Sequence, residues 1–136
     1  MADVVVDASV WVTRLVPGDI HHQRCRAWFE AQTADGDFMV SPVLLLPELA
    51  GAISRRTGRP GLAQRAVELL QQLSSLRLVS VDPPLARLAG QVAADHALSG
   101  ADALYAATAQ QLGLSLVTLD GEQLERAQAV VSTLTP

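Results

Sequence analysis

Residues 4–9 read VVVDAS, three β-branched residues followed by a carboxylate, an alanine and a serine. A short continuous run of valines is typical of a strand that is buried on both faces of a parallel sheet. Asp7 and Ser9 are residues that cap helices, so we expect the chain to pass directly from this strand into a helix. Open parallel sheets form their ligand sites at the carboxyl ends of the strands, and the pattern puts Asp7 at such an end.

The rest of the chain alternates between strand and helix patterns, which indicates βαβ units. No repeat, linker or low-complexity tract interrupts the pattern, and we expect residues 1–136 to form one domain. The predicted fold class is α/β with a central, mostly parallel five-stranded sheet. Strands are predicted at 4–6, 38–40, 76–81, 115–119 and 129–131. Helices are predicted from residue 8, at 19–34, 41–56, 62–73, 83–99 and 101–113, and shortly after Gly121. In the helix at 41–56 we expect Ser41 as the N-cap and Pro42 as the first helical residue, with Pro47 causing a kink or an irregular first turn.

The composition excludes several kinds of chemistry. All 10 basic residues are arginine, against 14 acidic residues, which gives a net charge of −4. Without lysine the chain has no Walker phosphate loop and no Schiff-base enzyme chemistry, and the acidic balance argues against coating nucleic acid through bulk positive charge. The single Cys25 cannot form an internal disulfide, and no segment is long and apolar enough to span a bilayer. We therefore expect a soluble cytoplasmic protein without a membrane partner.

Four acidic residues stand alone among apolar or small neighbours at the boundaries of the predicted elements. Burying such carboxylates is costly unless something compensates their charge, and several that converge would repel one another. A hard divalent cation such as Mg²⁺ or Mn²⁺ prefers this all-oxygen set of ligands. Capping and turn roles remain open for three of the four, including a capping box formed by Ser99. The four residues are Asp7, Glu48, Asp102 and Asp120.

Taken together, the motifs around these acids resemble those of the PIN-domain ribonucleases, and within them most closely the VapC toxins of bacterial toxin–antitoxin pairs. The resemblance extends over essentially the whole chain, in order, and its last two motifs are the most specific. The motifs are VVVDAS at 4–9, PEL at 47–49, SGADALYAATA at 99–109 and LVTLD at 116–120. One departure is Gly121-Glu122-Gln123, where many relatives carry a basic residue soon after the fourth acid.

The resemblance implies a three-layer α/β/α fold and a metal-dependent endoribonuclease. It implies that Asp7, Glu48, Asp102 and Asp120 are the catalytic, metal-binding acids for one or two Mg²⁺ or Mn²⁺ ions, with Ser9 and Thr118 as accessory polar residues. The ions would assist hydrolysis of RNA to products with a 5′-phosphate and a 3′-hydroxyl. Family members commonly form homodimers and are blocked by a VapB-type antitoxin. Apolar residues that could serve either the core or such an interface include Leu44, Leu45, Leu62 and Leu69.

Three further interpretations stay open at this point. Arg55 and Arg56 near the Gly58 break are either a solvated helix end or a contact to RNA phosphates. His21 and Cys25 have the spacing of two zinc ligands on a helix, but the second pair that a zinc site needs is missing, and Cys25 is better explained as a core residue. The alternative to a nuclease is a catalytically inactive PIN-like module that only binds a protein partner.

Overall fold

A computed structural model describes residues 2–136 as seven α-helices around a five-stranded sheet. The strands are β1 (Val4–Val6), β2 (Met39–Pro42), β3 (Leu76–Val79), β4 (Ser115–Val117) and β5 (Thr133–Leu134). The helices are α1 (Ala8–Leu15), α2 (His22–Ala34), α3 (Leu45–Thr57), α4 (Pro60–Gln71), α5 (Pro83–His96), α6 (Gly100–Leu112) and α7 (Gly121–Arg126), followed by a 3₁₀ turn at Ala127–Ala129. No helix within this part of the chain is long and apolar enough to cross a bilayer.

The strand order is β3-β2-β1-β4-β5, and every pairing is parallel. The chain moves outward from β1 to β3 and then returns to β4 and β5 on the other side of β1. Because parallel crossovers are right-handed, this reversal puts α1–α4 on one face of the sheet and α5–α7 on the other. The predicted α/β/α fold is confirmed. The reversal also opens a crevice at the carboxyl ends of β1 and β4, which is where ligands bind in open α/β sheets.

The core forms where the central strands meet α6. The valines of β1 are buried, and α6 packs directly on β1, β2 and β4. Seven consecutive residues of α6, Ala103–Ala109, are buried, and four of them are alanine. Small side chains let this helix lie close to the sheet, and this close packing fixes the first turn of α6 next to the crevice.

The predicted helix start at Ser41 is wrong, because Ser41 and Pro42 are the last residues of β2. They pair with Leu78 and Val79 of β3, and the buried Ser41 hydroxyl donates to the Val6 carbonyl at 2.6 Å. These long-range contacts override the local N-cap pattern. The helix begins at Leu45 instead, so Pro47 lies in its first turn. Backbone N–H groups in the first turn have no acceptor within the helix, so the N–H that proline lacks is not needed there.

The last strand was also predicted in the wrong place. The residues predicted as strand, 129–131, lie at the end of the 3₁₀ turn and just after it, with the N–H groups of Val130 and Val131 both bonded to the Ala127 carbonyl. Strand β5 is Thr133–Leu134, which pairs with Leu116 and Val117 of β4. A pair of valines suits a strand by propensity, but the preceding helical turn consumes their backbone donors.

Candidate active site

Asp7 is the most buried of the four acids and lies directly after β1, with 5% of its surface exposed. It caps α1, because its Oδ2 accepts the Ser9 N–H at 3.2 Å and the Ser9 hydroxyl at 2.6 Å. The Thr118 hydroxyl, at the end of β4, lies 3.2 Å from the same oxygen. Burial raises the pKa of the Asp7 carboxyl, and these hydrogen bonds oppose the rise.

Glu48 lies in the first turn of α3 and is half-buried. Its Oε1 accepts a 2.8 Å hydrogen bond from the hydroxyl of Tyr105, a fully buried residue of α6. Burial raises the pKa of the Glu48 carboxyl, and the negative charge of Asp7 raises it further. Burial and the Glu48 charge also raise the pKa of the Tyr105 hydroxyl, so that hydroxyl stays a hydrogen-bond donor at neutral pH.

Asp102 lies in the first turn of α6, one turn before Tyr105. The Ser99 side chain caps this helix by accepting the Asp102 N–H at 3.2 Å, as the capping pattern predicted. Burial, together with the charges of Asp7, Asp120 and Glu48, raises the pKa of the Asp102 carboxyl to about 6. Asp102 is therefore close enough to each of the other three acids to interact with it electrostatically.

Asp120 is exposed and caps α7, since its Oδ1 accepts the N–H groups of Glu122 and Gln123 at 2.9 and 3.2 Å. Asp7 and Asp120 therefore both act as helix caps, a role that the sequence had left open for them. Each cap uses one carboxylate oxygen, Oδ2 of Asp7 and Oδ1 of Asp120, and the second oxygen of each residue takes no part in the cap. Capping and ligand binding are therefore compatible at these two residues.

Within residues 2–136, no arginine or histidine forms an ion pair with any of the four carboxylates. The ion pairs among the described residues join arginines to Glu30, Asp19 and Glu122, and none involves the four acids. Within the same residues, no three His, Cys, Asp or Glu side chains are already arranged around a common point as metal ligands. Mg²⁺ commonly binds through one or two carboxylates and keeps several waters, so the set fits Mg²⁺ or Mn²⁺ by its all-carboxylate chemistry and unbalanced charge.

Two buried polar residues beside the acids carry contacts that the sequence reasoning missed. Tyr105 holds Glu48, and Gln123 bonds both Thr118 and the Asp102 carbonyl. The spacing from Asp102 to Tyr105 is one helical turn, which could have indicated that the two side chains share a face of α6. Gln123 gave no such signal, because a glutamine in the first turn of a short helix is ordinarily exposed.

A cavity of about 410 Å³ adjoins Glu48 between α1 and α3. Arg55 and Arg56 line it together with Ser9 and Glu48, so the structure brings both arginines to the edge of the acidic crevice. Arg56 is already paired with Asp19 at 3.0 Å. The Arg55 guanidinium lies over Gly51, where Nη1 would be only 3.0 Å from an added Cβ.

The His21 and Cys25 pair forms no zinc site within the described residues. Cys25 is fully buried, and burial raises the pKa of its thiol, which is the opposite of what a reactive cysteine needs. The core interpretation of Cys25 is confirmed.

Comparison with known proteins agrees with this architecture. The PIN domain family matches residues 4–129. Mycobacterium tuberculosis VapC20, a sarcin-ricin loop cleaving toxin, is 20% identical with a TM-score of 0.81 over 98% of this chain and 99% of its own. PAE2754 from Pyrobaculum aerophilum is 26% identical with a TM-score of 0.67 over 97% and 89%.

A third similar structure is the DNA-bound VapBC complex from Salmonella typhimurium. Its matching chain is 20% identical with a TM-score of 0.71, over 99% of this chain and 98% of that chain. No curated protein sequence matches the chain. The family match covers nearly the whole sequence and agrees with the sheet order and the acidic crevice, and on this basis the chain belongs to the PIN domain family.

Proposed function

We propose that this protein is a metal-dependent endoribonuclease that acts as the toxin of a toxin–antitoxin pair. The observation that carries the proposal is the group of carboxylates at the β1–β4 crevice with which no arginine of the described residues forms an ion pair. Burial, together with the charges of the other three acids, raises the pKa of Asp102 to about 6. A fold that only bound a protein partner would gain nothing from four mutually repelling carboxylates at this place. Similar proteins include a toxin that cleaves the sarcin-ricin loop of RNA, which supports RNA as the substrate.

Each acid has a distinct part in this proposal. Asp7 and Asp102 would hold Mg²⁺ or Mn²⁺ from the centre of the crevice, with Glu48 and Asp120 at its sides. A bound ion would supply Lewis-acid chemistry at this place, which would favour ionisation of a water and stabilise negative charge on the scissile phosphate. Ser9 and Thr118 fix the Asp7 carboxylate through their hydroxyls, and Tyr105 fixes Glu48. The water-exposed Asp120 carboxylate lies where RNA would enter.

Cleavage of RNA by partner-free protein tests this function. We expect RNA to be cut at defined positions with Mn²⁺ or Mg²⁺ present, leaving 5′-phosphates, and to stay intact after EDTA removes the metal. Cleavage that resists EDTA contradicts the metal requirement. Intact RNA under both conditions favours the alternative, an inactive PIN-like binding module.

We propose that Arg55 contacts an RNA phosphate next to the site, with Arg56 beside it. Arg55 is exposed, and no carboxylate within the described residues pairs with it. Its guanidinium lies back over Gly51 along the wall of the cavity that also contains Glu48. Gly51 therefore provides the space that lets this cation lie against α3 instead of extending into solvent.

Gly51→Ala should raise the stability of the protein and lower its affinity for RNA. Alanine in place of a mid-helix glycine is expected to raise the free energy of unfolding by roughly 0.5–1 kcal/mol. The added Cβ should push the Arg55 guanidinium out of place and weaken RNA binding by about two- to fivefold, the range of an exposed ion pair. The measurements are thermal denaturation and RNA affinity of a cleavage-deficient background at several salt concentrations.

Gly90→Ala is the matched control, because Gly90 also lies inside a helix and an added Cβ there meets nothing within 4 Å. It should give the same gain in stability with unchanged RNA affinity. Equal RNA affinity for Gly51→Ala and wild type would contradict the role of Arg55.

We further propose a VapB-type antitoxin as the protein partner, acting in the cytoplasm, where a lone buried thiol suits the reducing conditions. An apolar groove of about 770 Å³ runs between α1–α4 and is lined by Trp11, Phe29, Leu62 and Leu69. Leu62 and Leu69 are 41% and 51% exposed there, whereas Leu45 is fully buried in the core.

Co-purification with the cognate antitoxin should fail for Leu69→Glu and succeed for Leu112→Glu, which changes a similarly exposed leucine outside the groove.

A further inference from the structure

Gln123 is a fully buried polar residue in the first turn of α7. A buried amide is costly unless its donor and acceptor are both bonded. Gln123 lies outside the set of four acids, yet both of its side-chain contacts and its own N–H lead to one of them or to a residue that holds one. Its own N–H donates to Asp120, at 3.2 Å.

The orientation of the Gln123 amide is fixed by the Asp102 carbonyl. That carbonyl can only accept, so the group 3.1 Å from it must be the Nε2 donor of Gln123. The Oε1 acceptor then faces the Thr118 hydroxyl at 2.8 Å. One side chain thus connects the main chain of α6 to the residue that follows β4.

The Thr118 hydroxyl has one proton, and besides the Ser9 hydroxyl at 3.4 Å it has two closer acceptors within reach. Gln123 Oε1 is at 2.8 Å, and Asp7 Oδ2 is at 3.2 Å. The same hydroxyl accepts the Asp120 N–H at 3.0 Å. Gln123 Oε1 makes the shorter contact and shares the Thr118 proton with Asp7 Oδ2, so Gln123 fixes the position of the hydroxyl that bonds the Asp7 carboxylate.

We propose that Gln123 is a positioning residue for the acidic site, because it fixes Thr118 and the main chain of Asp102 relative to each other. This inference rests on the proposed function, since it assigns Gln123 to the metal site of that nuclease. It also gives a role to the Gly121-Glu122-Gln123 segment, in which the sequence departs from the pattern of many relatives.

Gln123→Met tests the proposal, because methionine has a similar shape and lacks the amide. Loss of a residue that orients metal ligands typically weakens metal binding by 10- to 100-fold. We expect the Kd for Mn²⁺, measured on metal-free protein by calorimetry and by the EPR signal of free Mn²⁺, to rise by about 10-fold. We expect kcat for RNA cleavage to fall and KM to stay unchanged, because the Arg55 contact is intact.

Two further variants distinguish positioning from general stability. Thr108→Val removes an equally buried hydroxyl of α6 that bonds only the Leu104 carbonyl, and it should lower stability without changing the Kd for Mn²⁺. In a Thr118→Val background, Gln123→Met should weaken Mn²⁺ binding by a smaller factor than in wild type, because the two residues act through one contact.

If Gln123→Met does not fold, Gln123→Ala replaces it, since water can enter the space and bond the Asp102 carbonyl and the Thr118 hydroxyl.

The outcomes separate this inference from the proposed function. Wild-type Mn²⁺ affinity in Gln123→Met or Gln123→Ala overturns the role of Gln123 and leaves the nuclease intact. An equal loss of affinity in Thr108→Val overturns it as well, because the effect is then one of stability. Wild-type protein that binds no Mn²⁺ overturns the inference together with the proposed function.

Discussion

Asp102→Asn should reduce metal-dependent RNA cleavage by more than about 100-fold, because losing residues that merely orient metal ligands already costs 10- to 100-fold. Asparagine keeps the shape of aspartate and the Ser99 cap, which uses the backbone N–H of residue 102. The fold should therefore survive, with an unchanged circular dichroism spectrum. The measurement is the initial rate of cleavage at saturating Mn²⁺.

Asp95→Asn serves as the matched control for this variant. Asp95 is an exposed acid near the end of α5, and removing its charge should leave the cleavage rate within twofold of wild type. Asp7→Asn should behave like Asp102→Asn, since Asp7 is the most buried of the four acids. Cleavage at the wild-type rate by both Asp102→Asn and Asp7→Asn would remove the acidic crevice from the mechanism.

The second large effect concerns stability in the absence of metal. The pKa of Asp102 is about 6 in the folded chain, compared with the ordinary aspartate value of 3.8 that applies to the unfolded chain. Between these pH values the folded state binds more protons than the unfolded state, so the free energy of unfolding must fall as pH rises. Below about pH 3.8 this contribution is complete, and above about pH 6 it is lost. The raised pKa values of Asp7 and Glu48 act in the same direction.

Thermal melts in EDTA should therefore show a melting temperature that decreases from pH 4 to pH 6.5, with a shallower slope for Asp102→Asn. Added Mn²⁺ should reverse the loss at pH 7, by about 2.7 kcal/mol in free energy of unfolding at a free concentration 100-fold above Kd. The same addition should stabilise the protein less at pH 5, because protons compete for the carboxylates. A flat pH profile with no response to Mn²⁺ would contradict the charge argument.

The parts that sequence reasoning predicted correctly have strong local signals. The valine run before Asp7 specifies a central strand, and the alanine-rich stretch after Asp102 specifies a helix that packs closely on the sheet. Parallel topology then brings the carboxyl ends of β1 and β4 together without further information. The fold and the approximate convergence of the acids follow from these few elements.

The errors arise where distant contacts decide the local structure. Ser41 has the pattern of a helix cap, but its hydroxyl bonds Val6 across the sheet, a partner 35 residues away in the sequence. The contacts of Tyr105 and Gln123 likewise reach partners 57 and 21 residues away. No local pattern encodes such pairs, so the contacts that Tyr105 and Gln123 make with their distant partners are found only in three dimensions.

The net charge of −4 argues against binding RNA through bulk positive charge. The four acids of the crevice account for this deficit, because the remaining acidic residues number 14 − 4 = 10, equal to the 10 arginines. Charge over the whole chain is therefore the wrong scale on which to exclude RNA, since one bound divalent cation would halve the negative charge of the four acids and a second would cancel it.

Anomalous diffraction from crystals soaked in Mn²⁺ tests the central claim most directly, because it locates the ion independently of activity. We expect one or two anomalous peaks in the β1–β4 crevice, about 2 Å from carboxylate oxygens of Asp7 and Asp102, and none there in Asp7→Asn crystals. A crevice without a peak at saturating Mn²⁺, in protein that still cleaves RNA, would contradict the metal-dependent mechanism proposed for these four carboxylates.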